Sequence, residues 1–86
     1  MNAYVAIKGK ENKMPKETIA APIPGKIIRV HVSAGSQVKE GDTICEIESM
    51  KMENPILAPV SGVINEISVA LDQVVKTGQT IAVIEY

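Results

Sequence analysis

The stretch Ala21-Pro22-Ile23-Pro24-Gly25-Lys26-Ile27, running on to Glu48, returns 37 residues later as Ala58-Pro59-Val60-Ser61-Gly62-Val63-Ile64, running on to Glu85. Residues 21–48 align with residues 58–85 without a gap, and 12 of the 28 positions are identical, among them Ala21/Ala58, Gly25/Gly62, Ile27/Ile64, Val38/Val75, Gly41/Gly78 and Ile47/Ile84. Two copies are too few for a solenoid, which needs about three or more repeats to bury a continuous core. They suffice for a pseudo-two-fold pair that closes on itself. In such a pair the joining segment, Glu48-Ser49-Met50-Lys51-Met52-Glu53, is singular, and it is the natural seat of a function that needs one exposed group.

Within each copy the punctuation is that of a β protein. Thr18-Ile19-Ala20-Ala21-Pro22 has the β-branched and small residues of a strand and stops at a proline. Pro24-Gly25 follows as a turn. Ile27-x-x-Val30-x-Val32 is matched by Ile64-x-x-Ile67-x-Val69, a spacing that starts at three and settles to the strand period of two. The same slip in both copies predicts a β-bulge, and helical spacing is sustained nowhere for more than one turn. Polar stretches then lead into single apolar plugs, Val38 and Val75. Lys39-Glu40-Gly41-Asp42 and Lys76-Thr77-Gly78-Gln79 predict tight turns with glycine at positive φ, and Thr43–Glu48 and Thr80–Glu85 close each copy as strands rich in Ile and Val. The expected fold is all-β, a flattened barrel or sandwich of two four-stranded antiparallel sheets with pseudo-two-fold symmetry.

At 86 residues the chain is one small domain, near the size at which a single core is only just sufficient. Hydrophobic residues make up 45% of it, yet there are two Tyr and neither Phe nor Trp, so the core is aliphatic. A net charge of -1 without a basic cluster leaves no footprint for nucleic acid, and the scarcity of aromatics removes the platforms on which bases stack. The one cysteine, Cys45, cannot form an internal disulfide, so a cytoplasmic location is expected. No signal-peptide pattern opens the sequence and no apolar run of about 18 residues is present, so direct membrane insertion is not expected. Residues 1–16 have no equivalent in the repeat and are expected to form a flexible tail or linker remnant, in which Tyr4-Val5-Ala6-Ile7 is a candidate short strand. Residues 17–86 are the folded domain.

In the joining segment, residues 44–48 continue a strand, and Pro55 biases Asn54 toward extended backbone, so residues 53–57 are extended too. Four residues, 49–52, remain for the turn, and Lys51 projects from its tip into solvent. Met50 and Met52 place two flexible apolar side chains there, where the domain's own core cannot bury both. A tip so flanked is suited to handling by a partner. No catalytic constellation stands elsewhere. His31, whose repeat partner is Ser68, is an exposed strand position, and Cys45, paired with Ala82, is a small core residue. One His and one Cys fall short of a four-ligand zinc site, and the glycines do not fall in a phosphate-cradling pattern. A Schiff-base role for Lys51 would require a desolvating pocket that a hairpin tip does not offer.

Met50-Lys51-Met52 preceded by Glu48-Ser49, with Ala21-Pro22 and Ala58-Pro59 opening two matching half-motifs, resembles the biotinyl domain of biotin carboxyl carrier proteins, whose usual signature is Ala/Ser-Met-Lys-Met. The likeness covers residues 17–86, and Lys51 stands 35 residues before Tyr86, the spacing usual in that family. It implies that a separate biotin protein ligase joins Lys51 to biotin through an amide, the amine attacking biotinyl-adenylate and losing its charge. It implies further that the chain is a carrier without catalytic groups of its own. Covalent biotin on Lys51 would shuttle a carboxyl group between biotin carboxylase and carboxyltransferase sites of a biotin-dependent carboxylase, transcarboxylase or decarboxylase.

By the same resemblance Met50 and Met52 serve partner recognition and the carboxylation steps more than attachment. Glu48 and Glu53 are expected to keep the hairpin end soluble and unpaired with other strand edges. Two other readings stay open. A lipoyl carrier has the same symmetric fold but typically shows an acidic residue and Lys-Ala around its target, and an unmodified interaction module would dock through the methionine tip. The ungapped repeat lacks the protruding thumb of some bacterial acetyl-CoA carboxylase carriers, which tilts the expectation toward acyl-CoA or pyruvate carboxylases, transcarboxylases or sodium-pumping decarboxylases.

Overall fold

The computed structural model describes residues 15–86. The candidate strand Tyr4–Ile7 and most of the expected tail lie outside these residues, while Lys16, assigned to the tail from sequence, opens the first strand. Eight strands follow in order: β1 (Lys16–Ala20), β2 (Gly25–Val30), β3 (Gln37–Val38), β4 (Thr43–Ser49), β5 (Met52–Leu57), β6 (Gly62–Ile67), β7 (Val74–Val75) and β8 (Thr80–Glu85). They form two antiparallel four-stranded sheets, β1-β8-β6-β3 and β5-β4-β2-β7. The 37-residue offset carries β1–β4 onto β5–β8 and turns one sheet order into the other. Each sheet therefore takes two strands from each copy, and neither copy closes a sheet alone.

The bulges fall where the spacing predicts them. Register slips between Ile27 and Arg29 in the β2–β4 pair, and between Ile64 and Glu66 in the β6–β8 pair. The extra residues, Ile28 and Asn65, let Ile27 and Ile64 stay in the core while the strand beyond them changes phase. The core is aliphatic: Ile27, Ile44, Ile47, Ile64, Ile81 and Ile84 are among its largest fully buried side chains, and no polar or charged residue among those described is buried. Complete burial of such a side chain stabilises by about 1.5–3 kcal/mol relative to exposure. In Thr80–Glu85 partly exposed residues bracket the buried Ile81, Ala82 and Ile84.

Backbone hydrogen bonds stitch the copies together. Gly41 N–H donates to the Ala58 carbonyl and Gly78 N–H to the Ala21 carbonyl, each at 2.8 Å, so the tight turn of one copy clamps the opening of the other. Both turn glycines sit at positive φ, 92° and 88°. Gly25 and Gly62 answer a different need, close approach. A Cβ on Gly25 would land on the Glu48 carbonyl oxygen and 2.6 Å from Ile47 Cγ2, and one on Gly62 would land on the Glu85 carbonyl oxygen and 2.9 Å from Ile84 Cγ2.

Gly25→Ala and Gly62→Ala are each expected to lower unfolding free energy by about 1–3 kcal/mol through overpacking. Urea titration checks this, and unchanged midpoints would refute it. The copies part at one turn position, where the second has Asp72 at φ 71° and the first has Gly35 at φ 94°. The Lys26–Asp72 ion pair there spans 3.7 Å with both side chains more than half exposed, so it contributes little. Asp72→Gly, by relieving left-handed backbone, is expected to raise stability by about 0.5–1 kcal/mol after the entropy of the added glycine is counted. A lower urea midpoint would contradict that.

Candidate functional site

The hairpin tip is tighter than the sequence suggests. Strand pairing continues to Ser49 opposite Met52, so Met50 and Lys51 alone make the turn in place of the four residues expected. Both have positive φ, 54° and 67°, the sign pattern of a type I′ turn. That turn matches the right-handed twist of its flanking strands, which is why the ladder runs to its end. Its usual residues are Asn and Gly. Holding Met and Lys in the left-handed region costs about 1–2 kcal/mol per residue, offset by the β4–β5 ladder from Thr43/Leu57 to Ser49/Met52.

The tip is exposed as well as strained. Lys51 is exposed, and Met50 and Met52 are 92% and 66% exposed. An amine so placed is accessible from outside the molecule, and its backbone position is held by paired strands on both sides. By the repeat offset, Ser49 and Met52 correspond to Tyr86 and Pro15. At the other end of the sandwich Tyr86 N–H donates to the Pro15 carbonyl at 3.0 Å, so the same contact is made there by two separated stretches of chain.

On the outer face of the hairpin sheet a charge cluster spans three strands. Glu48 and Glu53 stand directly opposite one another, an unfavourable like-charge pair. Arg29 Nη1 on β2 donates to Glu46 Oε1 at 2.8 Å and reaches across to Glu53 Oε1 at 3.1 Å, drawing β5 toward β2. Glu53 is thus ion-paired rather than simply solvated. His31 lies one residue beyond β2, not within a strand. It is exposed as expected, and its Nε2 donates to Glu46 Oε2 at 2.7 Å. The His31 hydrogen bond first, and Arg29 after it, hold the Glu46 carboxyl below its ordinary range against the opposing effect of partial burial. Sequence reasoning missed this cluster. The signal was present in the repeat, since Arg29, His31 and Glu46 correspond to Glu66, Ser68 and Val83, which cannot reproduce it.

A second missed residue is Asn54, half-buried on β5, whose Nδ2 donates to the carbonyls of Ile47 (3.3 Å) and Met52 (3.2 Å). Cys45 is wholly buried, as is its repeat partner Ala82. Burial first, and the nearby Glu46 charge second, push its thiol up to about 11, so it stays protonated at neutral pH and is a poor nucleophile. Among the described residues no three His, Cys, Asp or Glu side chains are grouped to hold a metal ion. No helix among them is long and apolar enough to cross a membrane.

Comparison with known proteins agrees with this geometry. The family described as "Biotin-requiring enzyme" matches residues 17–84. The 2-oxoglutarate carboxylase large subunit of Hydrogenobacter thermophilus is 46% identical over 55 residues, covering 59% of this chain and 8% of that protein. The methylmalonyl-CoA decarboxylase subunit gamma of Veillonella parvula is 58% identical over 40 residues, covering 46% of this chain and 31% of that one. The crystal structure of Kluyveromyces lactis urea carboxylase superposes with a TM-score of 0.77 at 28% identity, over 91% of this chain and 7% of that one. The chain thus spans a minor part of each relative's length. Biotin is the cofactor that the family description names. An exposed lysine on the singular turn of a symmetric β-sandwich, together with the family match over residues 17–84, shows that the chain belongs to the biotin-requiring enzyme family.

Proposed function

We propose that this chain is a biotin carboxyl carrier, with biotin joined through an amide to Lys51 and presented in turn to a carboxylase site and a carboxyltransferase site. The observation that carries the reading is the position of Lys51, exposed on a two-residue turn that has no counterpart in the internal repeat. The carboxylase and decarboxylase relatives support partners among the subunits or domains of a biotin-dependent carboxylase, transcarboxylase or decarboxylase, and attachment itself calls for a biotin protein ligase. The reading sets the carrier in the cytoplasm, where the single buried thiol stays reduced.

The residues fit the cofactor. In attachment, Lys51 Nζ attacks the carboxyl carbon of biotin activated as a mixed anhydride with adenylate. A C–N bond forms, the bond from carbon to the phosphate oxygen breaks, AMP leaves, and Nζ gives up its proton. When bound, biotin supplies a ureido nitrogen that takes up and releases a carboxyl group. Lys51 contributes a flexible stem on a braced turn, which raises the local concentration of the carried group at each site without a catalytic residue in the carrier. Met50 and Met52 offer adaptable apolar contacts to partner sites on either side of that stem.

Coexpression with a biotin ligase in the presence of biotin is expected to add the mass of one biotin less one water to the protein, and nothing to Lys51→Ala. A wild-type chain that stays unmodified, with the same ligase modifying a control carrier, would overturn the reading. Met50→Ala and Met52→Ala are expected to accept biotin but to lower turnover of the carboxylation step in a reconstituted enzyme. Unchanged turnover in both would remove the assigned role of the methionines.

A further inference from the structure

The 37-residue offset shows where the hairpin end departs from its symmetric counterpart, and one departure sits directly beneath the turn. Asn54 occupies the inward-facing position on β5 opposite Ile47, and its equivalent Glu17 occupies the same position on β1 opposite Ile84. The Asn54 amide has two N–H donors and bonds two backbone carbonyls, that of Ile47 on the far strand at 3.3 Å and that of Met52 on its own strand at 3.2 Å. Among the described residues Glu17 makes no such bond, and an ionised carboxylate could only accept. Partial burial limits competition from water at the bond to Ile47, whereas the bond to Met52 and the Arg29–Glu53 ion pair on the outer face are exposed.

We infer that Asn54 is a positioning residue for the reaction at Lys51, a deduction that rests on the carrier reading above. Met50 and Lys51 are held at φ 54° and 67°, a conformation neither residue favours. Such strain persists only where the surroundings over-determine it. The ladder fixes the strand ends, and the Asn54 side chain ties the Met52 carbonyl, immediately after the turn, to the Ile47 carbonyl on the opposite strand. Without that tie the tip relaxes from the tight turn and samples it only part of the time. A ligase that binds the tight turn then meets a smaller competent population, so its apparent KM rises by the inverse of that fraction while kcat is kept.

The test compares wild type with Asn54→Ala, Asn54→Asp and Asn54→Gln. The readouts are ligase KM and kcat at saturating biotin and ATP, urea midpoints, and backbone order parameters at Met50 and Lys51. If the competent fraction drops to about a tenth, Asn54→Ala raises KM about tenfold with kcat within about twofold. Order parameters at the tip are expected to fall from about 0.85 to below about 0.6. Asn54→Asp, which sets an acceptor against two carbonyls, is expected to be at least as severe, and Asn54→Gln, which keeps the donors on a longer stem, falls between. Lower urea midpoints with unchanged KM and tip order would mean that Asn54 is only structural, and would overturn the inference. A wild-type chain that the ligase leaves unmodified would remove the carrier reading, and the tip order parameters would then decide by themselves whether Asn54 holds the turn.

Discussion

The backbone hydrogen bonds that cross between the two copies are the constraint on which the rest of this molecule depends. A four-strand unit on its own would bury one face and leave edges unpaired, a poor solution for a chain of 86 residues. Exchange of strands removes the problem. With β1 and β3 added to the sheet of β6 and β8, and β5 and β7 to that of β2 and β4, each sheet becomes four strands wide and the two inner faces close on one aliphatic core. The bonds from Gly41 to Ala58 and from Gly78 to Ala21 lock that exchange at symmetric positions. Close approach leaves no room for even a methyl group at Gly25 and its repeat partner Gly62, whereas Gly41 and its partner Gly78 are required by their positive φ.

A symmetric scaffold gives a site by breaking its symmetry once. At one end Tyr86 and Pro15 meet as separated stretches of chain, and at the other the equivalent pair is joined by Met50 and Lys51. The join is too short for an unstrained path, and so both residues lie in the left-handed region. The strain is local and the support is not. The turn rests on β4, which has partners on both sides in its sheet, and the buried Ile44 and Ile47 anchor that strand in the core. A long flexible side chain is thereby mounted on a stiff base, a combination suited to delivering a tethered group to two different active sites.

Electrostatics at this end follows from the same asymmetry. Placing Glu48 opposite Glu53 would push the hairpin arms apart, and Arg29 answers by binding Glu53 and Glu46 together, with His31 completing the cluster from beyond β2. Glu46 apart, these groups are substantially exposed, so salt weakens them and their share of global stability is small. Their effect is directional. They tie the edge strand that carries Met52 to the interior of its sheet, on the face opposite the Asn54 bonds.

The sequence by itself determined the architecture. The ungapped repeat, the three-then-two spacing at Ile27 and Ile64, and the glycines at 41 and 78 specify strands, bulges and turns locally, because each depends on a residue's own backbone preferences and on the faces its neighbours present. Lys51 was legible for the same reason, being the singular residue between two copies, flanked by methionines that no core could take. Tertiary structure alone decided the rest. Whether the turn used four residues or two depended on how far β4 and β5 stay paired, which is a property of the whole ladder. The bonds of Asn54, and the meeting of Arg29 with Glu53 and of His31 with Glu46, join residues on different strands. Such contacts are fixed by register between strands, and register is set only when the sheets close over a common core.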